Sequence, residues 1–532
     1  MRDQLFVLER VVYFCIWISA NLFSLYQLIT AQNENNPAIR YTIRDLHKGW
    51  SFVSRPRDYS DVEWSTWKYF IQTTWHFLLI QFIISELIRN TKISLLKYWY
   101  ILSSVTFIAI HFGLKQLLIL TIQPAIFAVI IFAGGKKLSV WVTSLVLLLS
   151  YNSLKYKYFF WRFLDNGDLQ DEEVYLILFA VAWIELRCIS FSIDYVDKNE
   201  KLLNEKNKQK PLSKYNELVN MFSYVLYSPL LHIGPIMLYE DYEKSFTMEI
   251  ERLSTRLKRF FFDMMLFLIY TFLLDLSFHY VYFFAMQSNI EAIKMLPTLA
   301  LCGGGLWMGL EFHMKYVISY GTTAAFARLD NMEPPPTPRC IVRIHVYSLM
   351  WRYFDVGLYK FLVKYIYKPG YSALSKYIQL SKIGYKLFAS LATFLFIFLW
   401  HGTVWNIFVW SALNYVGVLL EHTGKAISET DKYKDFKKLV LRSDEMEIRF
   451  IAFLCTPLLA LSAISSFYLF AGSDIGDLFF GLLNGPTLYN CMIVSISLYC
   501  CCQVSIALKK IPSRTDTKLY QCNELNEIYL FV

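Results

Sequence analysis

The chain has 532 residues, of which 55% are hydrophobic and 18% aromatic, and it carries a formal net charge of +9. A soluble chain of this length normally divides into several domains, whereas here apolar runs recur along the whole length, which predicts one polytopic membrane domain over residues 1–532. Lys and Arg lie mostly between the apolar runs, and this placement favours a positive-inside orientation over nucleic-acid binding. The ten cysteines form no C-x-x-C pair, so no zinc site is indicated.

The apolar runs of the first part of the chain predict six membrane spans. The first, over residues 11–30, follows a short segment with few charges. A cleaved signal peptide has a shorter apolar core and a cleavage site of small residues, so we expect this run to be a retained span. The next five runs cover residues 69–88, 96–112, 117–133, 138–150 and 174–191. The run 138–150 is short, which predicts a tilted or broken helix.

Two charged residues, Glu185 and Arg187, lie inside the sixth run. Ionisable residues at membrane depth are costly and are functional-site candidates by default. The two do not share a helical face, so each needs its own partner. Arg187 has two interpretations, a structural contact or a contact with ligand phosphates.

Two polar segments lie beside these runs. Residues 55–68 mix charges with tryptophans, which predicts an interfacial segment or a short amphipathic helix. Residues 196–216 are charged and rich in lysine, so we expect them in the cytosol.

The segment 221–242 is apolar but interrupted by Pro229, Gly234 and Pro235. It is too broken for one helix, and irregular backbone at membrane depth is tolerated only when it is buried in protein or lines a cavity. We therefore predict a re-entrant element. A packed core position is the simplest interpretation of His232 within it.

The middle of the chain predicts two further spans, over residues 260–284 and 295–317, the first of them preceded by a basic amphipathic stretch at 251–259. Glycines in the second permit close helix packing, and Glu311 and His313 beyond them are candidates to face the core. The polyproline segment 333–343 excludes helix until it is passed, and Cys340 lies at its end between Arg339 and Arg343. Nearby arginines lower the pKa of a thiol and favour metal ligation, although one cysteine is weak support for a metal site.

The apolar segment 394–421 contains His401, and the aromatic segment 351–369 upstream contains Asp355. The two residues can meet only if the chain folds back on itself. A charged, basic loop at 425–449 follows and is expected in the cytosol, which places His401 deep in the membrane or toward the lumen. Runs at 451–471 and 488–508, with a short apolar piece at 475–483, bring the predicted total to eleven or twelve membrane elements. A polar tail begins at residue 509.

The residues around Asp355 and His401 resemble the membrane-bound O-acyltransferase (MBOAT) superfamily, and within it the Hedgehog acyltransferase branch. The W-R-x-F-D motif is matched by Trp351, Arg352, Phe354 and Asp355. The W-H-G motif and its A-L-N-x-x-G-V continuation are matched by Trp400, His401, Gly402, Ala412, Leu413, Asn414, Gly417 and Val418. Many relatives have asparagine at the position of Asp355, so the Asp–His combination is similar to the Hedgehog branch.

This resemblance implies an all-α bundle of membrane-spanning and re-entrant helices around a central tunnel, with a catalytic core over about 217–421. It implies His401 as general base and Asp355 as its partner or as a contact for the acceptor's N-terminus. The residues that it implies along the tunnel are Trp351, Arg352, Trp400, Asn414, Tyr227 and His232. It also implies a haem b bound through the thiolate of Cys340.

The resemblance implies transfer of palmitate from palmitoyl-CoA to the N-terminal cysteine amine of a secreted Hedgehog-type protein. The expected location is the endoplasmic reticulum or Golgi membrane, with membrane lipids as further partners and no nucleic acid. An MBOAT that modifies a serine hydroxyl or a lysophospholipid is the alternative within the enzyme class. A transporter and an inactive scaffold are the alternatives outside it, although no inverted repeat is visible and the histidine is present. The sequence has neither a G-x-S-x-G elbow nor a D-H-H-C motif.

Overall fold

The computed structural model describes residues 6–32, 46–156, 169–204, 213–482 and 487–509. In these ranges the regular structure is almost entirely helical. The only strands described there, β1 (Leu46–His47) and β2 (Arg57–Asp58), form a two-residue antiparallel pair. The predicted all-α class is confirmed.

The helices follow one another through the whole described chain. Those of the first part are α1 (Val7–Gln32), α2 (Val62–Thr91), α3 (Leu96–His111), α4 (Leu114–Phe132), α5 (Lys137–Tyr156) and α6 (Asp171–Asn204). Those of the middle are α7 (Lys214–Val225), α8 (Ser228–Leu231), α9 (Tyr239–Ser245), α10 (Leu253–Ser277), α11 (Phe283–Met286), α12 (Ile290–Lys294) and α13 (Thr298–Leu329). Those of the last part are α14 (Tyr347–Tyr353), α15 (Val356–Leu362), α16 (Lys368–Tyr377), α17 (Lys382–His401), α18 (Trp405–Ser428), α19 (Asp431–Phe436), α20 (Asp444–Gly481) and α21 (Leu488–Lys509).

Nine of the described helices are long and apolar enough to cross a membrane, namely α1 to α4, α6, α10, α17, α20 and α21. Three more, α5, α13 and α18, have 20, 32 and 24 residues and bring the long helices among the described residues to twelve. Short 3₁₀ turns at Ile93–Leu95 and Ile341–Arg343 and π-helical turns at Val363–Tyr367 and Lys437–Leu441 connect them. This architecture agrees with the predicted polytopic bundle.

Several helices extend beyond the apolar runs that predict them. Helix α6 continues to Asn204, into the lysine-rich segment that is expected in the cytosol, and α10 begins at Leu253, so the basic stretch is the first part of a span. The loop expected at 425–449 contains the end of α18, all of α19 and the start of α20. Charged residues such as Lys and Glu propagate helices well, so hydropathy underestimates helix length. The apolar piece 475–483 joins α20 across a break at Gly472, where φ is 83°. Residues 205–212 and the tail from 510 onward lie outside the described residues.

The end of the bundle that holds segment 429–443 is here named the basic end. Its helix termini are joined by ion pairs between residues far apart in sequence. Arg449 bonds Glu9 at 2.6 Å, and Arg89 bonds Asp330 at 2.9 Å over an interval of 241 residues. These pairs connect α1 to α20 and α2 to α13.

The opposite end is held by a second set of ion pairs. Asp275, near the end of α10, pairs with Arg57 on β2 and lies 3.1 Å from Lys68 Nζ on α2. Deeper in the bundle, Lys315 in the middle of α13 lies 2.8 Å from Asp61, the residue that caps the N-terminus of α2. Charged groups therefore pair at both ends of the bundle.

The segment 221–242 forms a buried, interrupted element, as predicted. Helices α7 and α8 are followed by an irregular stretch and by α9, and nearly all side chains between them are buried. Arg187 of α6 donates hydrogen bonds to the carbonyl oxygens of Val225, at 3.0 Å, and Leu230. These carbonyls lie where the helices end and need partners inside the protein, so the observed contacts of Arg187 are structural. Glu185 has a separate partner, the side-chain amide of Gln123.

Candidate active site

A cavity of about 1710 Å³ runs through the bundle. Near the basic end Ile341, Val342 and Ile344 line it, beside the C-terminal part of α21, where His345 Nδ1 lies 2.8 Å from Ser505 Oγ. At the opposite end its lining includes Asp61 and the neighbouring residues of α2. One continuous space therefore approaches both ends of the membrane domain.

His401 is the last residue of α17 and lines this cavity. Its imidazole is half-buried and lies edge-on to two indoles, with ring centroids 4.8 Å from Trp400 and 4.9 Å from Trp410. Helix α17 ends because Gly402 has a φ of 129°, which favours glycine. The chain then reverses into α18, so His401 lies at the tip of a helical hairpin. A helix of 20 residues is about 30 Å long, which places this tip far from the basic end.

Neighbouring helices hold the hairpin tip in position. Asn152 of α5 donates to the Leu399 carbonyl at 2.9 Å, and its side-chain oxygen accepts from the Thr403 amide at 2.8 Å. Trp400 lines the cavity and donates from Nε1 to the Ala182 carbonyl of α6 at 3.0 Å. These bonds fix the backbone on both sides of His401.

Asp355 lines the same cavity, at the N-cap of α15. Its Oδ1 accepts from the Leu358 amide at 2.8 Å, and its Oδ2 accepts from the Tyr320 hydroxyl at 3.0 Å. The short connection between α14 and α15 turns the chain, so the carboxylate faces the cavity from a helix N-terminus, where negative charge is favoured. Lys360, five residues beyond Asp355, lies 3.7 Å from Asp241.

Trp351 and Asn414 form a connected pair. Trp351 lines the cavity and donates from Nε1 to Asn414 Oδ1 at 3.0 Å. Asn414 is fully buried in α18, bonds the Trp410 carbonyl at 2.8 Å, and does not line the cavity. It therefore holds a wall residue and is not itself a wall residue. Arg352 likewise does not line the cavity, and its guanidinium lies 5.8 Å from the ring centroid of Tyr359.

Tyr227 and His232 do not line the cavity, in contrast to their predicted place along a tunnel. The Tyr227 hydroxyl donates to Asp330 at 3.0 Å in the ion-pair network at the basic end. His232 is 1% exposed, packs against Phe70, Phe107 and Phe112, and contacts the Leu176 carbonyl through Nδ1 at 3.3 Å. Packing of the re-entrant element against α2, α3 and α6 encloses both side chains, and the interpretation of His232 as a core residue agrees with the structure.

An ionic cluster lies in the cavity wall toward the opposite end. Lys315 Nζ is 2.8 Å from Asp61, 2.9 Å from Glu63 and 3.7 Å from Glu311. Glu311 and His313 are buried, as predicted, and line the cavity. The cluster joins α2 to α13 and gives this part of the cavity wall an excess of carboxylates.

Cys340 is exposed and does not line the cavity. Within the described ranges no group of three or more His, Cys, Asp or Glu is arranged to hold a metal ion. A haem on one thiolate needs no such group, but the residues around Cys340 offer an open position and not an enclosed pocket. We therefore derive no step of the chemistry from a haem.

Trp183 and Tyr320 line the cavity, and neither was predicted as a site residue from the sequence. Both are aromatic residues in long apolar segments, and such residues are usually core. The one available indication for Tyr320 was its position on the same helix face as Tyr316, one turn away.

The model of the membrane-bound O-acyltransferase family, MBOAT, matches residues 67–465. This match covers most of the described bundle and both Asp355 and His401.

Three similar proteins are named as protein-cysteine N-palmitoyltransferases or as like one. Protein-cysteine N-palmitoyltransferase Rasp of Drosophila melanogaster is 28% identical over 527 residues, which cover 98% of this chain and 99% of that protein. Protein-cysteine N-palmitoyltransferase HHAT of Mus musculus is 30% identical over 264 residues, about half of each chain (49% and 50%). The HHAT-like protein of Mus musculus is 25% identical over 399 residues, 72% of this chain and 71% of that protein.

Proposed function

This chain belongs to the membrane-bound O-acyltransferase family, and we propose that it transfers palmitate from palmitoyl-CoA to the N-terminal cysteine amine of a secreted, Hedgehog-type protein. The observation that carries the proposal is the location of His401 and Asp355 on the wall of one cavity that approaches both ends of the membrane domain. The full-length similarity to a protein-cysteine N-palmitoyltransferase supports the choice of substrates.

The basic end faces the cytosol in this proposal, because Lys and Arg favour that side. Palmitoyl-CoA then enters from the basic end and the acceptor from the lumen. The long interior cavity provides an apolar passage for the acyl chain between the two compartments. The membrane is that of the endoplasmic reticulum or Golgi, where secreted proteins pass.

The chemistry requires the removal of one proton. The α-amine has a pKa of about 7.7–8.0, so an appreciable fraction is neutral near pH 7 and can attack the thioester carbonyl. His401 accepts the proton that the nitrogen loses as the amide forms, a role worth about 10²- to 10⁴-fold in rate. A thioester is already activated, so the transfer is direct and the leaving group is the CoA thiol.

Asp355 supplies the negative charge of the site. A carboxylate in the same cavity stabilises the imidazolium that His401 becomes, and it can accept a hydrogen bond from the acceptor's α-ammonium before deprotonation or from the neutral amine as it attacks. Its position at a helix N-cap fixes its direction. Trp351, held by Asn414, forms a wall of the acyl passage, and Trp400 fixes the hairpin tip.

A haem at Cys340 rests on the family resemblance alone, and this mechanism does not depend on it. The purified protein would show a Soret band, and Cys340→Ala would remove it. An unchanged spectrum in that variant would exclude Cys340 as the ligand.

The test uses purified full-length protein, radiolabelled palmitoyl-CoA and a synthetic peptide with an N-terminal cysteine and a Hedgehog-type sequence. We expect label in an amide, which resists hydroxylamine. A peptide acetylated at its N-terminus is the matched control and stays unlabelled, because its nitrogen is no longer nucleophilic. Label that hydroxylamine releases, or label on a serine peptide or a lysophospholipid in place of the cysteine peptide, would contradict the proposal and favour another MBOAT activity. Transport of the donor without transfer would indicate a transporter.

A further inference from the structure

We infer that Tyr320 is a positioning residue for Asp355, and that Trp183 fixes Tyr320 relative to the hairpin tip that carries His401. The inference rests on the proposed function, which gives Asp355 and His401 their chemical roles. It adds two residues to that site.

The contact between Tyr320 and Asp355 is direct. The Tyr320 hydroxyl donates to Asp355 Oδ2 at 3.0 Å, while the Leu358 amide occupies Oδ1. Together the two donors hold both oxygens of the carboxylate, so its plane and direction are set by α13 and α15. Tyr320 is 4% exposed, and hydrogen bonds to an ionised carboxylate are stronger than those between neutral groups.

The backbone of α13 is fixed at this level by the re-entrant element. Thr323 Oγ1 donates to the Gly234 carbonyl at 2.6 Å, three residues beyond Tyr320. Gly234 in turn packs against the indole of Trp183, and a Cβ added at Gly234 would lie 2.9 Å from that ring. The re-entrant element thus contributes to the site through Trp183, and of its own side chains only Ile233 lines the cavity.

Trp183 joins the two halves of the site. Its ring centroid lies 6.4 Å from that of Tyr320 and 5.5 Å from that of Trp400. Trp400 contacts the His401 ring and is bonded to the carbonyl of Ala182, the residue before Trp183. An unbroken series of contacts therefore runs from Asp355 through Tyr320, Trp183 and Trp400 to His401.

Few titratable groups besides Tyr320 face Asp355 among the described residues. The ionisable groups nearest to it on α13 are the hydroxyls of Tyr320 and Tyr316, and the ionic cluster of Lys315, Asp61, Glu63 and Glu311 lies further along the cavity wall. On α15 the Leu358 backbone amide donates to Asp355, and His401 at the hairpin tip lines the same cavity as Asp355. Removal of the Tyr320 hydroxyl therefore removes the side chain on α13 that donates a hydrogen bond to Asp355.

Tyr320→Phe keeps the ring and deletes this donor. A hydrogen bond to the charged form of a carboxyl lowers its pKa, so its loss raises the pKa of Asp355. The same change frees one carboxylate oxygen to rotate. A residue with only a packing role would leave the pKa of Asp355 unchanged.

The first measurement needs no turnover. Dicyclohexylcarbodiimide reacts with protonated carboxyls in apolar sites, and mass spectrometry of the full-length protein gives the extent of labelling at Asp355 as a function of pH. We expect the labelling midpoint to move to higher pH in Tyr320→Phe. Replacement of Tyr320 by 3-fluorotyrosine, whose hydroxyl is a stronger donor, is expected to move it to lower pH. Thr322→Val is the matched control, because this buried hydroxyl on the same helix bonds only the Ile318 carbonyl of its own helix.

The second measurement is transfer. In Tyr320→Phe we expect kcat to fall about tenfold with the KM for palmitoyl-CoA unchanged, and the acid limb of the pH profile to move upward with the labelling midpoint. Trp183→Phe is expected to lower kcat several-fold without moving the labelling midpoint. Trp183 fixes the distance between Tyr320 and the hairpin tip, and it makes no hydrogen bond to the Asp355 carboxylate.

The outcomes separate the two hypotheses. A labelling midpoint that is the same in wild type, Tyr320→Phe and the fluorotyrosine protein overturns the inference, whatever the activity. A wild-type protein that shows no transfer while the midpoints shift overturns the proposed function and keeps Tyr320 as the partner of Asp355.

Discussion

Two regions of this molecule look alike in sequence and differ in the structure. The segment around His232 and the segment around His401 are both apolar, aromatic and interrupted by glycine. Both have an irregular stretch of backbone between helices and a histidine beside it. His232 is enclosed by three phenylalanines, whereas His401 lies at a hairpin tip and borders the cavity.

The difference shows what an intramembrane histidine needs for a chemical role. Partial exposure alone does not give a histidine a chemical role, although His401 is half-buried and His232 is only 1% exposed. Access to a cavity that also contains a carboxylate does, because a general base must reach a substrate and its protonated form must be stabilised. The region around His232 supports the region around His401 through Gly234 and Trp183. The first region therefore has a structural role and the second a chemical one.

The largest expected effect tests the difference between the two histidines directly. His401→Ala is expected to reduce palmitoyl transfer by at least about a hundredfold, since it removes the proton acceptor, with thermal stability in detergent near that of wild type. His232→Leu is the matched control, and it should retain activity within a few-fold because it deletes one long contact inside an aromatic cluster. Comparable loss of transfer in both variants at unchanged stability would mean that the two histidines are not distinguished by cavity access.

Asp355→Asn is expected to have the next largest effect, a fall in kcat of roughly tenfold to a hundredfold. Asparagine is also a good N-cap, so α15 should persist, and only the charge and the proton capacity are lost. Binding of a non-hydrolysable palmitoyl-CoA analogue, measured by calorimetry, should change little. Full activity in Asp355→Asn would remove the carboxylate from the mechanism.

Gly234→Ala tests the support that the first region gives to the second. The residue has a φ of 92° and its added Cβ would meet the Trp183 ring, so we expect a loss of about 1–3 kcal/mol in the free energy of unfolding and a several-fold lower kcat. Gly424→Ala is the control, since nothing lies within 4 Å of its added Cβ in α18. That change is expected to be neutral or to stabilise by about 0.5–1 kcal/mol. Equal effects of the two substitutions would argue against the proposed packing.

The smallest expected effect concerns charge at the end of the re-entrant element. Hydrogen bonds from Lys244 and then Lys364 lower the pKa of Glu240 to about 2. The group therefore adds stability above the pKa of an unfolded glutamate, about 4.3, and this is lost as the pH falls toward 2. Glu240 is partly exposed, so Glu240→Gln should lower stability at pH 7 by less than about 1 kcal/mol and leave transfer unchanged. Thermal melts at pH 7 and pH 3 check this, with the exposed Glu429→Gln as control.

The long helices of the fold could be predicted from the sequence, because apolar runs of about 20 residues can only be spans or core helices. Their ends could not, as α6 shows, because polar residues continue a helix into water with no change in periodicity. His401 and Asp355 were identified by type, position and family resemblance, and the structure places both on one cavity. Tyr227 and His232 were associated with the tunnel by resemblance alone, and the side of a re-entrant turn that faces a cavity depends on packing between elements distant in sequence. Tyr320 and Trp183 were missed for the same reason, since an aromatic residue in an apolar helix has no feature that separates core from site.

The ion pairs at the two ends of the bundle have a consequence for how the chain is made. Arg89 and Asp330 are 241 residues apart, so at about 5–20 residues per second the arginine is synthesised some tens of seconds before its partner. A lone charge in mid-bilayer would be a severe obstacle during that interval, whereas at a helix terminus it can remain hydrated. The placement of Arg89–Asp330 and Arg449–Glu9 near helix termini allows these helices to enter the membrane one after another during translation, with the charges neutralised only when the bundle closes.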